Sequence, residues 1–519
     1  MRKLKLFFVT AIAAAAMVAP AANAQTTALV IGAGSSALWQ TAAIGAFRNL
    51  AGAGAHHYTI KGSCGPANCA QIFDSRSSAI AVQGGNLWVV WSADQSKVWA
   101  YISVDSVVGN RAFFAVPRAR LQISPDTEIT NGQNLISSNL WGADAAALPP
   151  AVYGVLNSHP FTAAFTDIRP EDAKFAQSRA VGVLGQQPQG GLGYGSGPNT
   201  LVGTEIESAY SSTFAQPVNF SLGGGTDPFN PSLKVPASVT IPVGAAPVVF
   251  FINRTNPNGL GKAGVTNNMT HAHLQAIFSG TNCAIAGVPV TVVQREPISG
   301  TMNTAEFTEF QGFGGGQANS QENGVNAQNP LNKACAAGGK RTRAIGTGEL
   351  VSAVTSTKDS IGYSFWGFGN FSKIANNNGY HYLMVDSSDP IHATYSNGLL
   401  PPCGAACPAA PGSTFPNVRN GNYKSWSVLR VVTDASGPNR TNTQNLVTAT
   451  QNNVNSTVPD FVPFNAAAGD PGLKLYRSHF QRAGVAPNNG LSGQTEAGGD
   501  VGGCIETKGP APGVLNCHQ

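Results

Sequence analysis

The chain has 519 residues and a formal net charge of +5, and charged residues make up 11% of the sequence. Ordinary soluble proteins contain about a quarter charged residues, so this low content, without any basic run, excludes a nucleic-acid-binding footprint. The hydrophobic fraction of 42% can form a core and excludes a disordered polymer. The length predicts one large domain or about two or three ordinary ones.

The first 24 residues have the pattern of an export signal. Arg2, Lys3 and Lys5 form a positive start, an apolar run follows over Leu6–Val18, and Ala22-Asn23-Ala24 fits the small-x-small cleavage rule. The apolar run is too short for a permanent membrane anchor, and no cysteine stands near the cleavage point for lipid attachment. We therefore expect a mature protein that is periplasmic or secreted.

The eight cysteines agree with an exported protein, in which an even number usually means disulfides. A zinc site is the alternative, but neither close pair has CxxC spacing and no histidine pair follows at finger-like spacing. Eight cysteines allow about 105 connectivities, so the pairing stays open. Short loops favour Cys64–Cys69, Cys403–Cys407 and Cys504–Cys517, which leaves Cys283–Cys335.

In chain order, the first predicted unit is TTALVIGAGSSALWQTAAIGAFRNLAG, with a buried strand at Ala28–Ile31, a glycine turn and an amphipathic helix from about Ser36 to Leu50. Apolar runs rich in valine, tryptophan and isoleucine over residues 79–116 predict strands joined by tight turns. FTAAFTDIRPEDAKFAQS then predicts a short strand, a turn at Asp167 and a helix opened by Pro170.

A second set of elements follows the Gly/Gln/Ser/Pro-rich region Gly185–Gly225. It comprises the strand APVVFFINR, the helix THAHLQAIFSG, the strand VPVTVVQR and a helix after Ser299. After the Gly/Asn/Gln-rich stretch Gln311–Gly339 come a helix, GELVSAVTST, and a strand, SIGYSFWGF. Strands that alternate with helices favour an α/β architecture with largely parallel sheets, and two such sets suggest two lobes.

The segment Ser299-Gly300-Thr301 lies where a strand passes into a helix, four residues after Arg295. The first N–H groups of a helix are unpaired and carry partial positive charge, so they can hold an anion. Glycine permits close approach of the backbone, the hydroxyls add donors, and Arg295 could add a charge-assisted contact. The alternative is an ordinary Ser/Thr helix cap.

Similar junctions occur three more times in the sequence. Gly34-Ser35-Ser36 follows the first strand, Ser106 follows an apolar strand and precedes a predicted helix, and Asp167 stands at a fourth junction. Hydroxyls and a carboxylate at the carboxyl ends of strands are the arrangement by which α/β folds bind ligands. The repetition favours a binding site over isolated caps.

Two other interpretations have weaker support. VIGAGSSA fits a GxGxxA dinucleotide fingerprint, which needs an acidic residue about twenty positions later, but no Asp or Glu occurs between Gln25 and Phe73. His271 and His273 could bind a metal, yet side chains two apart diverge on a helix. No G-x-S-x-G, H-E-x-x-H or S-x-x-K set occurs with its partners, so we expect no enzyme, cofactor or metal.

Taken together, the motifs resemble those of the PstS-like phosphate-binding proteins of phosphate ABC transporters, a family of periplasmic solute receptors. The resemblance runs in order over most of the mature chain. It rests on VIGAGSSALW, AYISVDSVVGNRA, TDIRPEDA, HLQAIFSG, VTVVQREPISGTMNTAEF and SIGYSFWGF. The ISGT segment together with IFSG and IGY is the most specific part.

The resemblance implies a two-lobed, type II periplasmic-binding-protein fold with mixed sheets flanked by helices and a ligand cleft between the lobes. It implies a monomer that captures inorganic phosphate for a membrane ABC permease. Asp167 would accept a hydrogen bond from P–OH, which sulfate lacks, and Arg295 would supply the positive charge. The implied phosphate-binding residues are Ser36, Ser106, Asp167, Arg295, Ser299, Gly300 and Thr301.

The sequence departs from the family pattern at several positions. The family has an aspartate two residues after the arginine, where this chain has Pro297 beside Glu296, and an aromatic residue where this chain has Ala37. Arg169 could pair with Asp167 or enlarge the anion site. The predicted organisation is a signal at 1–24, lobe 1 at 25–240, lobe 2 at 241–355, a return to lobe 1 at 356–458 and a Gly/Pro-rich extension at 459–519.

The longer chain, with its Gly-rich insertions and its cysteine-bearing tail, leaves a second functional hypothesis. A cell-surface or adhesive protein could retain the receptor scaffold without a transport function, because a fold does not fix a function.

Overall fold

A computed structural model gives the fold of the chain. The described residues are 25–64, 67–73, 81–115, 117–124, 134–168, 238–262, 264–295, 299–310, 333–335, 338–344, 346–367, 379–391, 415–419, 422–454, 460–463, 475–477, 504–507 and 515–517. Several predictions lie outside them: the signal segment 1–24, the Gly-rich region 185–225, the helix opened by Pro170, the roles of Arg169, Glu296 and Pro297, and the pair Cys403–Cys407.

The helices follow local sequence signals. Ser35 accepts a hydrogen bond from the N–H of Ala37 at the start of the first helix, and Thr270 caps the helix that ends at Gly280 in a left-handed conformation. The first helix continues from a 3-10 turn, Ser36–Leu38, into a π-helical turn, Ala46–Leu50. The described helices are α1 Trp39–Gly45, α2 Ser106–Phe114, α3 Ser138–Trp141, α4 Pro150–Ser158, α5 His271–Ser279, α6 Gly300–Ala305, α7 Thr347–Ser356, α8 Pro416–Arg419 and α9 Pro438–Val454.

One large mixed sheet of 13 strands carries the fold. Its strands are β1 Thr27–Gly34, β2 His56–Ile60, β3 Asn86–Trp91, β4 Lys97–Ser103, β5 Ala163–Thr166, β6 Ser238–Asn253, β7 Thr291–Arg295, β8 Lys333–Ala334, β9 Lys340–Ala344, β10 Ser360–Phe365, β11 Tyr380–Tyr382, β12 Trp426–Asp434 and β13 Val462–Pro463. They lie in the order β8-β9-β7-β10-β6-β12-β5-β1-β4-β3-β2, and β11 and β13 also pair with β6.

Smaller ladders lie beside this sheet. They are Ser63–Cys64 with Ala67–Asn68; Ala70–Phe73 with Ala81–Gly84 and Arg120–Ile123; Asn268–Met269 with Met384–Val385; Ala284–Ile285 with Val288–Pro289; and Cys504–Thr507 between Leu475–Arg477 and Leu515–Cys517.

Strand β6 divides the large sheet into two halves. Its residues 238–247 pair with β12, which also pairs with β5, so they belong to the half that contains β1 and β4. Its residues 248–253 pair with β10, whose other neighbour is β7. The predicted α/β class, with mixed sheets flanked by helices, is confirmed. The predicted lobe boundaries stay a prediction. Strand β6 passes from the first half of the sheet to the second between Pro247 and Val248, and residues 360–365 pair within the second half.

The core lies on both faces of the sheet. In β1, Val30 belongs to one hydrophobic cluster, and its neighbours Ile31 and Ala33 belong to the other. Both faces are therefore covered, which explains why β1 is a continuous apolar run in the sequence instead of an alternating pattern. Helix α2 lies over one face through Val108, and α9 lies over the other through Leu446.

The disulfide predictions are settled in part. Cys283 and Cys335 form a disulfide, as the sequence predicts. Cys69 is disulfide-bonded, and Cys504 stands opposite Cys517 in the strand register. The pairs Cys64–Cys69 and Cys504–Cys517 stay predictions. Within the described ranges, no helix is both long enough and apolar enough to cross a membrane.

Candidate functional site

Three neighbouring strands of the first half end at the same edge of the sheet. Strands β1, β4 and β5 are adjacent and parallel, so the residues that follow them lie close together. These residues are Ser36 after β1, Asp105 and Ser106 after β4, and Asp167 after β5. Ser106 and Asp167 are each only 2% exposed. Polar groups that are this deeply buried need hydrogen-bond partners within the molecule.

Asp167 is the acceptor on which hydroxyls from both halves meet. The hydroxyl of Ser106 donates to its Oδ1, and the hydroxyl of Thr301, from the second half, lies 3.3 Å from its Oδ2. The main-chain N–H of Asp167 donates to the Ser106 oxygen over 3.3 Å. The structure therefore brings together three residues that are widely separated in the sequence and that sequence analysis assigns to one site.

Gly300 of the second half packs against Ser106 and Asp167 of the first half. A Cβ atom built on Gly300 would stand 2.5 Å from the Ser106 hydroxyl oxygen and 2.8 Å from Oδ2 of Asp167. Real Cβ atoms do not approach other heavy atoms this closely, so the position excludes a side chain. This close approach is the physical reason for a glycine between the hydroxyls of Ser299 and Thr301.

Ser299 is also a helix cap. Its side-chain oxygen accepts a hydrogen bond from the N–H of Met302 over 3.2 Å, and its carbonyl accepts one from the side chain of Asn303. The capping interpretation of this serine is thus correct. It does not remove Ser299 from the site, because a hydroxyl that accepts a hydrogen bond keeps its own proton to donate.

Arg295 connects the two halves through its guanidinium. Its Nη2 lies 2.5 Å from Oδ1 of Asp105, and its Nη1 donates to the hydroxyl of Thr347 over 3.0 Å. Thr347 in turn lies 2.8 Å from the hydroxyl of Ser36. The side chains of Arg295 and Asp105 are 3% and 4% exposed, so the ion pair is buried. Ser36 thus joins the cluster through Thr347.

Sequence analysis missed Asp105 and Thr347. Asp105 occupies the N-cap position of α2, yet its side chain makes no capping hydrogen bond there, because it points to Arg295. The signal in the sequence is an aspartate directly before Ser106, at a junction already singled out for its hydroxyl. Thr347 opens α7 after β9, which is another hydroxyl at the end of a strand.

Burial controls the ionisation of this cluster. It raises the pKa of the Asp167 carboxyl above its ordinary value, because the charged form is disfavoured away from water. Hydrogen bonds from Ser106 and Ser35 and the positive charge of Arg295 oppose this shift without reversing it. Burial, followed by the negative charge of Asp167, also raises the pKa of Tyr101. Asp167 therefore holds its proton at a higher pH than an exposed aspartate does.

All seven residues predicted for the site are buried or half-buried. Three of them follow strands of the first half, and the other four lie at or after the end of β7 in the second half. The cluster offers hydroxyl donors, one guanidinium already paired with a carboxylate, and a second carboxylate that accepts hydrogen bonds. Such a set suits a small oxyanion that carries a proton of its own, because the carboxylate of Asp167 can only accept hydrogen bonds and therefore needs an O–H group on the ion.

The two histidines considered as metal ligands have different partners. Nδ1 of His271 lies 3.2 Å from Oε1 of Glu309, which is almost fully buried, and Nε2 of His273 lies 2.9 Å from the carbonyl of Ala284. Burial raises the pKa of Glu309, although the hydrogen bond and charge of His271 oppose the shift. The two imidazoles therefore do not converge on one point.

A known protein family matches the part of the chain that contains the site residues of the second half of the sheet. Residues 226–441 match the PBP superfamily domain. This range includes Arg295, Ser299–Thr301 and Thr347, and over it the resemblance found in the sequence is confirmed at the level of the PBP superfamily domain. No curated protein sequence matches the chain.

Solved structures similar to the chain are distant from it. A phosphate-binding protein from Stenotrophomonas maltophilia is 14% identical, with 81% of this chain and 82% of that chain covered and a TM-score of 0.29. A human phosphate-binding apolipoprotein is 13% identical, with coverage of 83% and 90% and a TM-score of 0.33. A phosphate ABC transporter substrate-binding protein from Clostridium perfringens is 17% identical, with a TM-score of 0.24. The match covers 40% of this chain and only 65% of that protein.

Proposed function

We propose that the chain is an extracytoplasmic solute-binding protein that captures inorganic phosphate between the two halves of its sheet. The observation that carries the proposal is the meeting of Ser106, Asp167 and Thr301, together with Gly300 packed against them, in one buried place. Hydroxyls contributed by both halves can surround a small tetrahedral ion only where the halves meet. The protein binds its solute and performs no chemistry on it.

Phosphate fits this site better than sulfate does. At neutral pH phosphate carries at least one proton, which Asp167 can accept in a hydrogen bond, whereas sulfate would present only lone pairs to the carboxylate. A buried carboxylate that faces an acceptor is left unsatisfied and costs free energy. Asp167 therefore selects phosphate by rejecting the unprotonated ion.

The cellular context of this proposal comes from the sequence. The signal-like pattern over residues 1–24 supports a mature protein that is periplasmic or secreted, and the family resemblance supports a monomer. A membrane ABC permease would receive the phosphate when the halves open.

The first test is replacement of Thr301 with alanine. This change removes the second-half hydroxyl that contacts Asp167, and we expect phosphate affinity to fall at least tenfold, or about 1.4 kcal/mol. Labelled phosphate binding to the purified protein, with sulfate as competitor, measures the effect. Thr308→Ala is the matched control, because Thr308 is equally buried and donates to the carbonyl of Thr304 instead.

An unchanged titration curve for Thr301→Ala would count against the site. Absence of phosphate binding by the wild-type protein would contradict the receptor function as a whole. The cell-surface or adhesive role on the same scaffold would then be the remaining hypothesis.

Replacement of Asp167 with asparagine tests selectivity and stability together. The amide can donate to sulfate, so we expect the preference for phosphate over sulfate to narrow by roughly tenfold, or about 1.4 kcal/mol. Folding raises the pKa of the Asp167 carboxyl. This group therefore stabilises the fold fully when the pH lies below its pKa in the unfolded chain, and the stabilisation is lost as the pH rises through its pKa in the folded protein. Asp167→Asn should therefore unfold at a higher temperature than the wild type near neutral pH, with a smaller difference in acid. Equal melting temperatures at neutral pH would contradict this assignment.

A further inference from the structure

The hydroxyl of Thr347 stands between two side chains assigned to the phosphate site. Thr347 opens α7, after β9 in the second half, and is 6% exposed. Its oxygen accepts a hydrogen bond from Nη1 of Arg295 over 3.0 Å. The same oxygen lies 2.8 Å from the hydroxyl oxygen of Ser36, which follows β1 in the first half. Thr347 therefore contacts one site residue of each half.

The guanidinium sets the direction of the first of these hydrogen bonds. A guanidinium has donors and no acceptor, so Arg295 donates and the oxygen of Thr347 accepts. The hydroxyl of Thr347 keeps its own proton, and its other hydrogen-bond partner within the described ranges is Ser36. When Thr347 donates to Ser36, the proton of the Ser36 hydroxyl is left to donate to a third group.

The 2.8 Å contact between the two hydroxyls has two possible directions. Ser36 can also donate to Thr347, because a hydroxyl oxygen has two lone pairs and can accept from both Arg295 and Ser36. In that direction Ser36 has no proton to offer to a ligand. An unprotonated oxygen of phosphate beside Ser36 only accepts, so the bound ion selects the direction in which Thr347 donates.

We propose that Thr347 is a positioning residue for phosphate, which orients the hydroxyl of Ser36 as a donor through a chain of hydrogen bonds that starts at Arg295. This inference rests on the proposed function. Each hydrogen bond in such a chain polarises the next one, and the low dielectric of a buried site strengthens it. Ser36 thereby donates to an unprotonated oxygen of phosphate, whereas the P–OH group faces the carboxylate of Asp167.

The same chain couples the donor to the approach of the two halves. Ser36 and Thr347 are 311 residues apart in the sequence and belong to different halves, so their contact requires that the halves meet. When the halves separate, the hydroxyl of Ser36 loses this partner and is no longer oriented. Thr347 thus acts on phosphate through Ser36 and does not have to touch the ion.

The test is a double-mutant cycle, measured by calorimetric titration with inorganic phosphate. Wild type is compared with Thr347→Val, with Ser36→Ala and with the double variant, since valine has the shape of threonine without its hydroxyl. We expect each single variant to bind phosphate about tenfold more weakly, because each removes a hydrogen bond that serves a charged ligand. We expect the double variant to bind within about threefold of Ser36→Ala, because Thr347 has no further effect once Ser36 is gone.

Two further variants control for structural effects. Thr347→Ser keeps the hydroxyl and should bind phosphate within about threefold of wild type. Thr355→Val removes a half-buried hydroxyl near the other end of α7, where it donates to the carbonyl of Val351 over 2.9 Å, and should also bind as wild type does. A circular dichroism spectrum shows whether each variant is folded, and Thr347→Ala takes the place of valine in the cycle if Thr347→Val does not fold.

Three results would overturn the inference while leaving the receptor function intact. They are an unchanged affinity in Thr347→Val, a Thr347→Ser protein that binds as weakly as Thr347→Val, and losses that multiply to about a hundredfold in the double variant. In the last case Thr347 acts independently of Ser36. A wild-type protein that does not bind phosphate would contradict the proposed function, and the inference with it.

Discussion

Replacing Gly300 with alanine is expected to weaken phosphate binding by about ten- to a hundredfold while leaving the fold intact. The new Cβ atom would stand 2.5 Å from the Ser106 oxygen and 2.8 Å from Oδ2 of Asp167, so the two halves must move apart where their hydroxyls converge. Overpacking a close contact costs about 1–3 kcal/mol, which corresponds to this loss of affinity. Phosphate titration of the purified variant, with its circular dichroism spectrum, measures both quantities.

The control for Gly300→Ala is Gly154→Ala. Gly154 lies inside α4, and a Cβ atom built on it meets no other heavy atom within 4 Å. Alanine is favoured over glycine in a helix by about 1 kcal/mol, so both substitutions improve helix propensity. Only Gly300→Ala should lose phosphate, and loss of binding in both variants would indicate a general effect of the substitution.

Replacing Arg295 with methionine is expected to have the largest effect on stability. The change leaves the carboxylate of Asp105 buried without its cation, and removal of one partner of a buried ion pair typically costs about 3–5 kcal/mol. We therefore expect the free energy of unfolding in urea to fall by that amount and phosphate binding to be lost. Methionine is an apolar side chain of similar length, so the effect reports the lost charge more than lost packing.

A second substitution separates the charge from the packing. The double variant Arg295→Met, Asp105→Asn should recover most of the lost stability but none of the phosphate binding, because the unpaired charge is gone and the cation is still missing. Arg118→Met is the comparison at a more exposed pair, where Arg118 and Asp434 are 15% and 22% exposed and the expected loss is about 1 kcal/mol or less. Equal losses for Arg118→Met and Arg295→Met would contradict the special role of the buried pair.

The sequence predicted the positions of the site residues because two local rules identify them. A run such as Ala28–Ile31, buried on both faces, predicts a strand, and parallel strands bring their carboxyl ends to one edge. Ser106 and Asp167 meet for this reason, and Ser36 follows β1, the strand between theirs. The junction after β7 indicated Arg295 and Thr301 in the same way, and the resemblance to a known family assigned them to the same site as the residues of the first half.

The ion pair between the halves could not be predicted in the same way. Asp105 and Arg295 are separated by 190 residues, and no local pattern states which distant carboxylate a guanidinium will meet. The family pattern pointed to position 297, where this chain has proline, so the expected partner was absent from its usual place. Only the three-dimensional arrangement shows that an aspartate from the other half pairs with Arg295.

Helix α9 was missed for a different reason. Its 17 residues carry few apolar side chains, so the helical periodicity is weak in the sequence. It is nevertheless well packed through polar residues such as Thr443 and Gln451, and its backbone at Thr450 lies against Gly45 of α1. Packing through small and polar side chains leaves little trace in a hydrophobicity pattern.

The position of β12 governs the order in which the molecule can assemble. This strand lies between β5 and β6 and joins two parts of the sheet, yet it is made from residues 426–434, long after both of its neighbours have been synthesised. Native pairing across the middle of the sheet therefore has to wait for a distant segment, and contacts between segments far apart in sequence slow folding. We expect the nascent chain to stay incompletely folded until more than four fifths of it has emerged from the ribosome.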